Sequence, residues 1–167
     1  MTGDKSALDA DLKVVVFCAK FDKGGCILLP QLSKLDDETP EAKFIAIFTD
    51  PEVAHIKRFF EKNEFKLTFP ACFDKDKEVQ NKFKAALKVQ ALPIPYGFII
   101  KGGKIVWLQV FSQNHQLHHS TFKAQLRAVI EGKELAKNGP APVLEESSDD
   151  DEGGDVPAGD DGDLSLF

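Results

Sequence analysis

Residues Lys13-Val-Val-Val-Phe-Cys18 form an unbroken apolar run rich in β-branched side chains. A run with no polar face fits a strand covered on both sides, as in a parallel sheet. A second run of the same kind is Lys43-Phe-Ile-Ala-Ile-Phe48. Between them lies a helical stretch with apolar Ile27, Leu28, Leu32 and Leu35. Two buried strands joined through a helix make a βαβ unit, and that unit requires helices on the sheet faces. Pro30 sits inside the helical stretch and predicts a kink, because proline has no N–H for the helix ladder.

The pattern continues downstream. Asp50-Pro51 predicts a helix opened by a capping carboxylate and a proline at its first position, with Val53, Ile56 and Phe60 on one face. Leu67 to Phe73 reads as a short strand, and Asp74 as the start of a helix with Val79, Phe83 and Leu87 on one side. Leu92-Pro-Ile-Pro95 breaks regular structure. Tyr96 to Ile100, Gly102-Gly103 and Ile105 to Phe111 read as a β-hairpin with a glycine turn. A last helix is expected from about Leu117 to Lys137, with Phe122, Leu126, Val129 and Ile130 buried and Gly139-Pro140 as its stop. The order β-α-β-α-β-α-β-β-α predicts an α/β domain. Its central mixed, mostly parallel sheet carries helices on both faces. There is no internal repeat.

Charge divides the chain in two. From Gly139 to Phe167 there are 10 Asp and Glu and no Lys or Arg, whereas residues 1–138 carry all 21 basic residues and 17 of the 27 acidic ones. The body is therefore basic and the tail strongly acidic. Scarce apolar residues and self-repulsion predict a disordered tail over 139–167. A flexible N-terminus is expected over 1–11 and a folded domain over 12–138. Within the tail, Ser147 and Ser148 precede Asp149-Asp-Asp-Glu152, a setting that acidophilic kinases favour, and phosphate would deepen the charge. Leu164, Leu166 and Phe167 form an apolar tip on the charged tether. Three cysteines, an odd number, argue against a secreted disulfide framework. Met1 to Lys13 lacks an apolar signal core, and no run approaches the ~20 apolar residues of a membrane span. The expectation is a cytoplasmic or nuclear protein. His115, His118 and His119 cluster without a cysteine or carboxylate at ligand spacing, so no metal and no cofactor is predicted. The body has no basic stripe and no nucleic-acid motif, so neither nucleic acid nor membrane is an expected partner.

The first strand and helix read Val14-Val-Val-Phe-Cys-Ala-Lys-Phe-Asp-Lys-Gly-Gly-Cys-Ile-Leu-Leu-Pro-Gln-Leu32. This resembles the active-site segment of thioredoxin-like proteins, in particular the tryparedoxin and nucleoredoxin branch, where Phe-x-Ala-x-Trp-Cys-x-x-Cys-x-x-x-x-Pro-x-Leu recurs. Phe17, Ala19, Phe21 in place of Trp, Pro30 and Leu32 fall in register without a gap. Asp22 and Gly25 then stand where the two cysteines would be. Ile94-Pro95-Tyr-Gly-Phe-Ile-Ile-Lys-Gly-Gly103 is similar to the segment that carries the family's cis-proline. Reading back from the glycine turn favours Pro95 in that role, and reading forward from Val89 favours Pro93; Pro95 fits better, because an apolar strand follows it. The resemblance covers about residues 12–132 and implies a thioredoxin fold.

It also implies what is missing. In the family the first cysteine lies at a helix N-terminus, where free N–H groups stabilise its thiolate, and the second resolves the mixed disulfide. Asp22 cannot attack a disulfide, although it can cap the helix, and Gly25 offers no thiol. Two-cysteine reductase chemistry cannot run at this site. Val16 replaces the buried carboxylate of thioredoxins proper. Cys26 follows the second motif position and has Lys20 and Lys23 near it in sequence, which makes it the candidate thiol. Cys18 and Cys72 end strands and read as small core residues; Cα separation decides whether Cys18 and Cys26 can bridge. The leading expectation is a redox-inactive protein-binding or adaptor module. Its groove is lined by Phe21, Gly24, Ile94, Pro95 and Tyr96, and the acidic tail serves as a docking or regulatory segment. The alternative is a single-cysteine thiol-disulfide oxidoreductase or redox sensor acting through Cys26. The tail itself reads as a tether for a basic partner, as a fold-back onto the body's own lysines, or as a solubilising segment.

Overall fold

In the computed structural model, the described residues are 7, 9–19, 23–64, 66–111 and 118–136, with the side chains of 23–27 and 118–119 outside the description. The elements run β1 (Leu12–Cys18), α1 (Lys23–Glu38), β2 (Lys43–Phe48), α2 (Val53–Asn63), β3 (Ala71–Phe73), α3 (Glu78–Leu87), β4 (Tyr96–Lys101), β5 (Lys104–Val110) and α4 (His118–Glu131). The five strands form one sheet in the order β3-β2-β1-β4-β5. β1 pairs parallel with β2, and β2 parallel with β3, while β4 and β5 run antiparallel to their neighbours. This is the mixed α/β thioredoxin-like fold that the element order predicts.

β1 occupies the centre of the sheet, and all seven of its residues are buried. Because side chains alternate across a strand, Val14, Val16 and Cys18 enter one core, and Val15 and Phe17 enter the other. The first core is covered by α1, α2 and α4, through Leu28, Leu29, Leu32, Leu35, Ile56, Phe122, Leu126 and Val129. The second is covered by α3 through Phe83, with Leu92 beside it. Phe17 stands edge-on to Phe83 at 5.0 Å and to Phe98 at 5.9 Å. Burying such a ring contributes about 1.5–3 kcal/mol, and each aromatic pair adds about 0.5–1.5 kcal/mol.

Several element ends differ from the expectation. α1 continues through Pro30, which is exposed and lacks only the one ladder bond to the carbonyl of residue 26. β3 is confined to Ala71–Phe73, because Pro70 has no N–H to pair; its carbonyl instead accepts the Ala46 N–H at 3.0 Å. Asp50-Pro51 does not open α2. That helix begins at Val53 after an extended Glu52 that makes no side-chain cap, and Val53 is 40% exposed rather than on the buried face. α3 begins at Glu78, not at Asp74. Asp74 nevertheless caps it from upstream, its carboxylate accepting the N–H groups of Val79 at 3.2 Å and Gln80 at 2.8 Å. α4 stops at Glu131, well short of Lys137. Gly132 has φ +66°, its N–H donates to Val129 and that of Lys133 donates to Ala128, the paired bonds of a glycine C-cap. At the hairpin, Gly102 and Gly103 both have positive φ, as a tight two-residue turn requires. The predicted tail, 139–167, lies outside the described residues.

Gly97 is the tightest point of the packing. A Cβ there would lie 2.6 Å from one Phe111 ring carbon and 3.1 Å from a Phe122 ring carbon. The two rings are themselves 5.3 Å apart and buried, so neither yields freely. Gly97→Ala is expected to destabilise the fold by about 1–3 kcal/mol, read as a lower urea midpoint with unchanged slope. A midpoint within error of wild type would show that this contact is looser than described.

Candidate functional site

The parallel strands β1, β2 and β3 all deliver their carboxyl ends to one edge of the molecule, and β4 starts there, with Tyr96 opposite Phe17. Crevices outside the carboxyl ends of parallel strands are where open α/β sheets bind ligands. At this edge the chain leaves β1 through Cys18 and Ala19, both buried, and enters α1 at Lys23. The Cys18 carbonyl accepts the Thr49 N–H at 3.0 Å and its hydroxyl at 3.4 Å, which locks the ends of β1 and β2 together. Asp50, 1% exposed, follows directly, and Asp74 holds the start of α3 one strand further out.

The Ile94–Pro95 peptide bond is cis. The Pro95 carbonyl accepts the Phe111 N–H at 2.9 Å, tying the entry of β4 to the exit of β5. Pro95 is buried, whereas Pro93 and Ile94 are half-buried. Among the described residues, none forms a hydrogen bond with the peptide groups of Ile94. Tyr96 is 9% exposed and lies against Phe98 at 4.5 Å, within the second core. Burial pushes its phenol above the ordinary range.

The other expected site residues separate as follows. Phe21 and Asp22 lie outside the described residues. Gly24, Gly25 and Cys26 fall within the first turns of α1, with the Cys26 side chain outside the description. Ser147, Ser148, Leu164, Leu166, Phe167 and His115 also lie outside it, as do the side chains of His118 and His119. Cys18 is a free thiol with no exposure, its Sγ 3.9 Å from the Val16 carbonyl, so it takes no part in a disulfide. Cys72 is also free and half-buried beside the second core, and burial pushes its thiol up. Cys18 is part of the first core, and Cys72 packs against the second. Among the described residues there is no cluster of three His, Cys, Asp or Glu able to hold a metal, and no helix long and apolar enough to cross a membrane. The sequence reading did not single out Thr49 for this edge, and it took Asp50 for a helix cap. An Asp-Pro pair directly after a buried strand was the available signal, and it marked the strand end rather than a helix start.

Raised thiol and phenol values mean that the folded state holds the Cys72 and Tyr96 protons more tightly than the unfolded chain. The associated stability is complete below their unfolded values, about 8.5 and 10, and is lost as pH rises through the folded ones. The urea midpoint should therefore fall on going alkaline, and Tyr96→Phe should flatten the upper part of that fall. A midpoint that stays level up to about pH 11 would contradict the burial of both groups.

Comparison with known proteins agrees with this architecture. A Chlorobium tepidum protein provisionally assigned as the thiol:disulfide interchange protein DsbE aligns over 75% of this chain and 84% of its own, with TM-score 0.64 and 14% identity. A secreted Mycobacterium tuberculosis disulfide oxidoreductase homologous to E. coli DsbE aligns over 75% and 87%, with TM-score 0.57 and 18% identity. An uncharacterised conserved protein from Geobacillus kaustophilus aligns over 78% and 72%, with TM-score 0.61 and 19% identity. At these identities the likeness is one of fold. No curated protein matches the sequence. The family model described as AhpC/TSA matches residues 4–108, from before β1 through most of β5 and so across all the strands that build this edge. On that match the chain belongs to the AhpC/TSA family, with a thioredoxin-like fold.

Proposed function

We propose that the chain is a thioredoxin-like protein-binding module of the tryparedoxin and nucleoredoxin kind, in which two-cysteine chemistry has been lost and the groove beside Pro95 takes an extended peptide. What supports this reading is that the sequence carries Asp22 and Gly25 where the resemblance puts the two cysteines. A peptide strand needs main-chain groups to pair with, and the Ile94 peptide groups, without partners among the described residues, supply them. In this reading Phe21 and Gly24 complete the lining of the groove. The tail, through Leu164, Leu166 and Phe167, is a second place for a protein partner, with Ser147 and Ser148 as phosphorylation sites that strengthen its charge. An odd number of cysteines fits a reducing, cytoplasmic or nuclear setting.

The second reading is a single-thiol oxidoreductase or redox sensor acting through Cys26. Two observations favour it. Solved structures of similar fold are described as thiol:disulfide interchange and disulfide oxidoreductase proteins. Cys26 also lies in the first turns of α1, where helix N–H groups favour a thiolate.

The binding reading is tested with a random peptide array probed by the full chain. Ile94→Glu should weaken the selected peptides by at least about tenfold, or ~1.4 kcal/mol, and leave the urea midpoint unchanged. Equal binding by the variant would remove the groove from the account.

A further inference from the structure

Four cationic side chains gather where α4 runs beside the end of α1. Lys123 is ion-paired to Glu38, and Arg127 lies 4.0 Å from the same carboxylate. Lys34 also acts on Glu38, whose carboxyl is held below the ordinary range chiefly by its hydrogen bond to Lys123. Lys133 pairs with Glu131 at the end of the helix. Lys34, Lys123, Arg127 and Lys133 thus stand against Glu38 and Glu131, and the cluster keeps an excess of positive charge. Its outer members are open to solvent, with Arg127 54% and Lys133 70% exposed.

On the exposed face of α4, Lys123, Arg127, Glu131 and Lys133 border a shallow, wide-open groove. Ala124 and Ala128, one helical turn apart, contribute small apolar side chains to it, and Lys123, Arg127 and Lys133 are its cationic members. A groove of this build suits a segment that is acidic and carries a short apolar stretch. The chain contains one such segment: 10 carboxylates from Glu145 to Asp163, followed by Leu164-Ser-Leu-Phe167.

We propose that this acidic segment of the same chain docks on the α4 groove, with Leu164, Leu166 and Phe167 against Ala124 and Ala128 and the preceding carboxylates facing Arg127 and Lys133. Reach permits it. The 14-residue α4 is about 21 Å long, and the described chain leaves its end at Ala136. A coil of the length that separates Ala136 from Leu164 would span at least roughly 30 Å, since like charges extend such a chain. Tethering also gives a local concentration on the order of millimolar, so a weak contact suffices to populate the docked state. This goes beyond the peptide-binding reading and does not depend on the groove beside Pro95; docking on α4 competes with a protein partner for Leu164, Leu166 and Phe167.

The test uses the full chain, labelled with 15N and observed by amide NMR. The wild type is compared with a triple variant, Leu164→Ser, Leu166→Ser and Phe167→Ser, and with a charge-reversed variant, Arg127→Glu and Lys133→Glu. The expected result is that amides of residues 120–133 shift between wild type and triple variant. The same shift should be abolished in the charge-reversed background, shrink as salt is raised to about 0.5 M, and stay constant over a tenfold range of protein concentration. No shift at residues 120–133 overturns the proposal, as does a shift insensitive to both salt and charge reversal. A shift that grows with protein concentration assigns the groove to a second copy of the chain and overturns docking within one molecule.

Discussion

β1 is the strand on which both halves of the protein depend. Its residues are buried on both faces, so each supports a different core from its neighbour. Val14, Val16 and Cys18 meet α1 and α4 on one side, and Val15 and Phe17 meet α3 on the other. A slip of one residue in its pairing with β2 or β4 would exchange the two sets. Phe17 would then turn to the opposite face and lose its edge-on packing against Phe83 and Phe98. Register is therefore fixed by shape, and with it the level at which Cys18 ends the strand and Tyr96 begins β4.

That level defines the candidate site. Thr49 ties the end of β1 to the end of β2, Asp74 anchors α3, and the bond from Phe111 to Pro95 closes the far side. These contacts are independent of any thiol. A scaffold built this way keeps its geometry when the residues at positions 22 and 25 change, because the edge is held by main-chain bonds and by side chains buried beneath it. Retention of the fold without the two cysteines is thus physically unremarkable. In the reading proposed above, it separates peptide binding from the chemistry that would cleave a disulfide.

Much of this was legible in the sequence. The runs at 13–18 and 43–48 could only be satisfied by burial on both faces, and both became strands within a residue of their predicted limits. The Gly102-Gly103 turn fixed the hairpin for a local reason, the need for positive φ. Helix ends were less legible. A carboxylate before a helix reads as a cap from sequence, yet Asp50 is buried at a strand end, while Asp74 caps α3 across an intervening turn. The end of α4 was missed because Gly132, in a left-handed conformation, stops the helix before the more conspicuous Gly139-Pro140. The bond from Thr49 to Cys18 was not legible, because it joins residues that only the parallel pairing of β1 and β2 brings together.

The remaining thiols divide by environment. Cys18 is sealed in the first core, and burial beside the second core pushes the Cys72 thiol up. The decisive measurement is the alkylation rate of each cysteine in the full chain against pH, resolved by peptide mass spectrometry. The account predicts slow reaction at Cys18 and Cys72 and an apparent Cys26 value no lower than the free-thiol figure of about 8.5. A Cys26 that reacts fast, with an apparent value well below that figure, would contradict a binding module and make the protein a single-thiol redox protein.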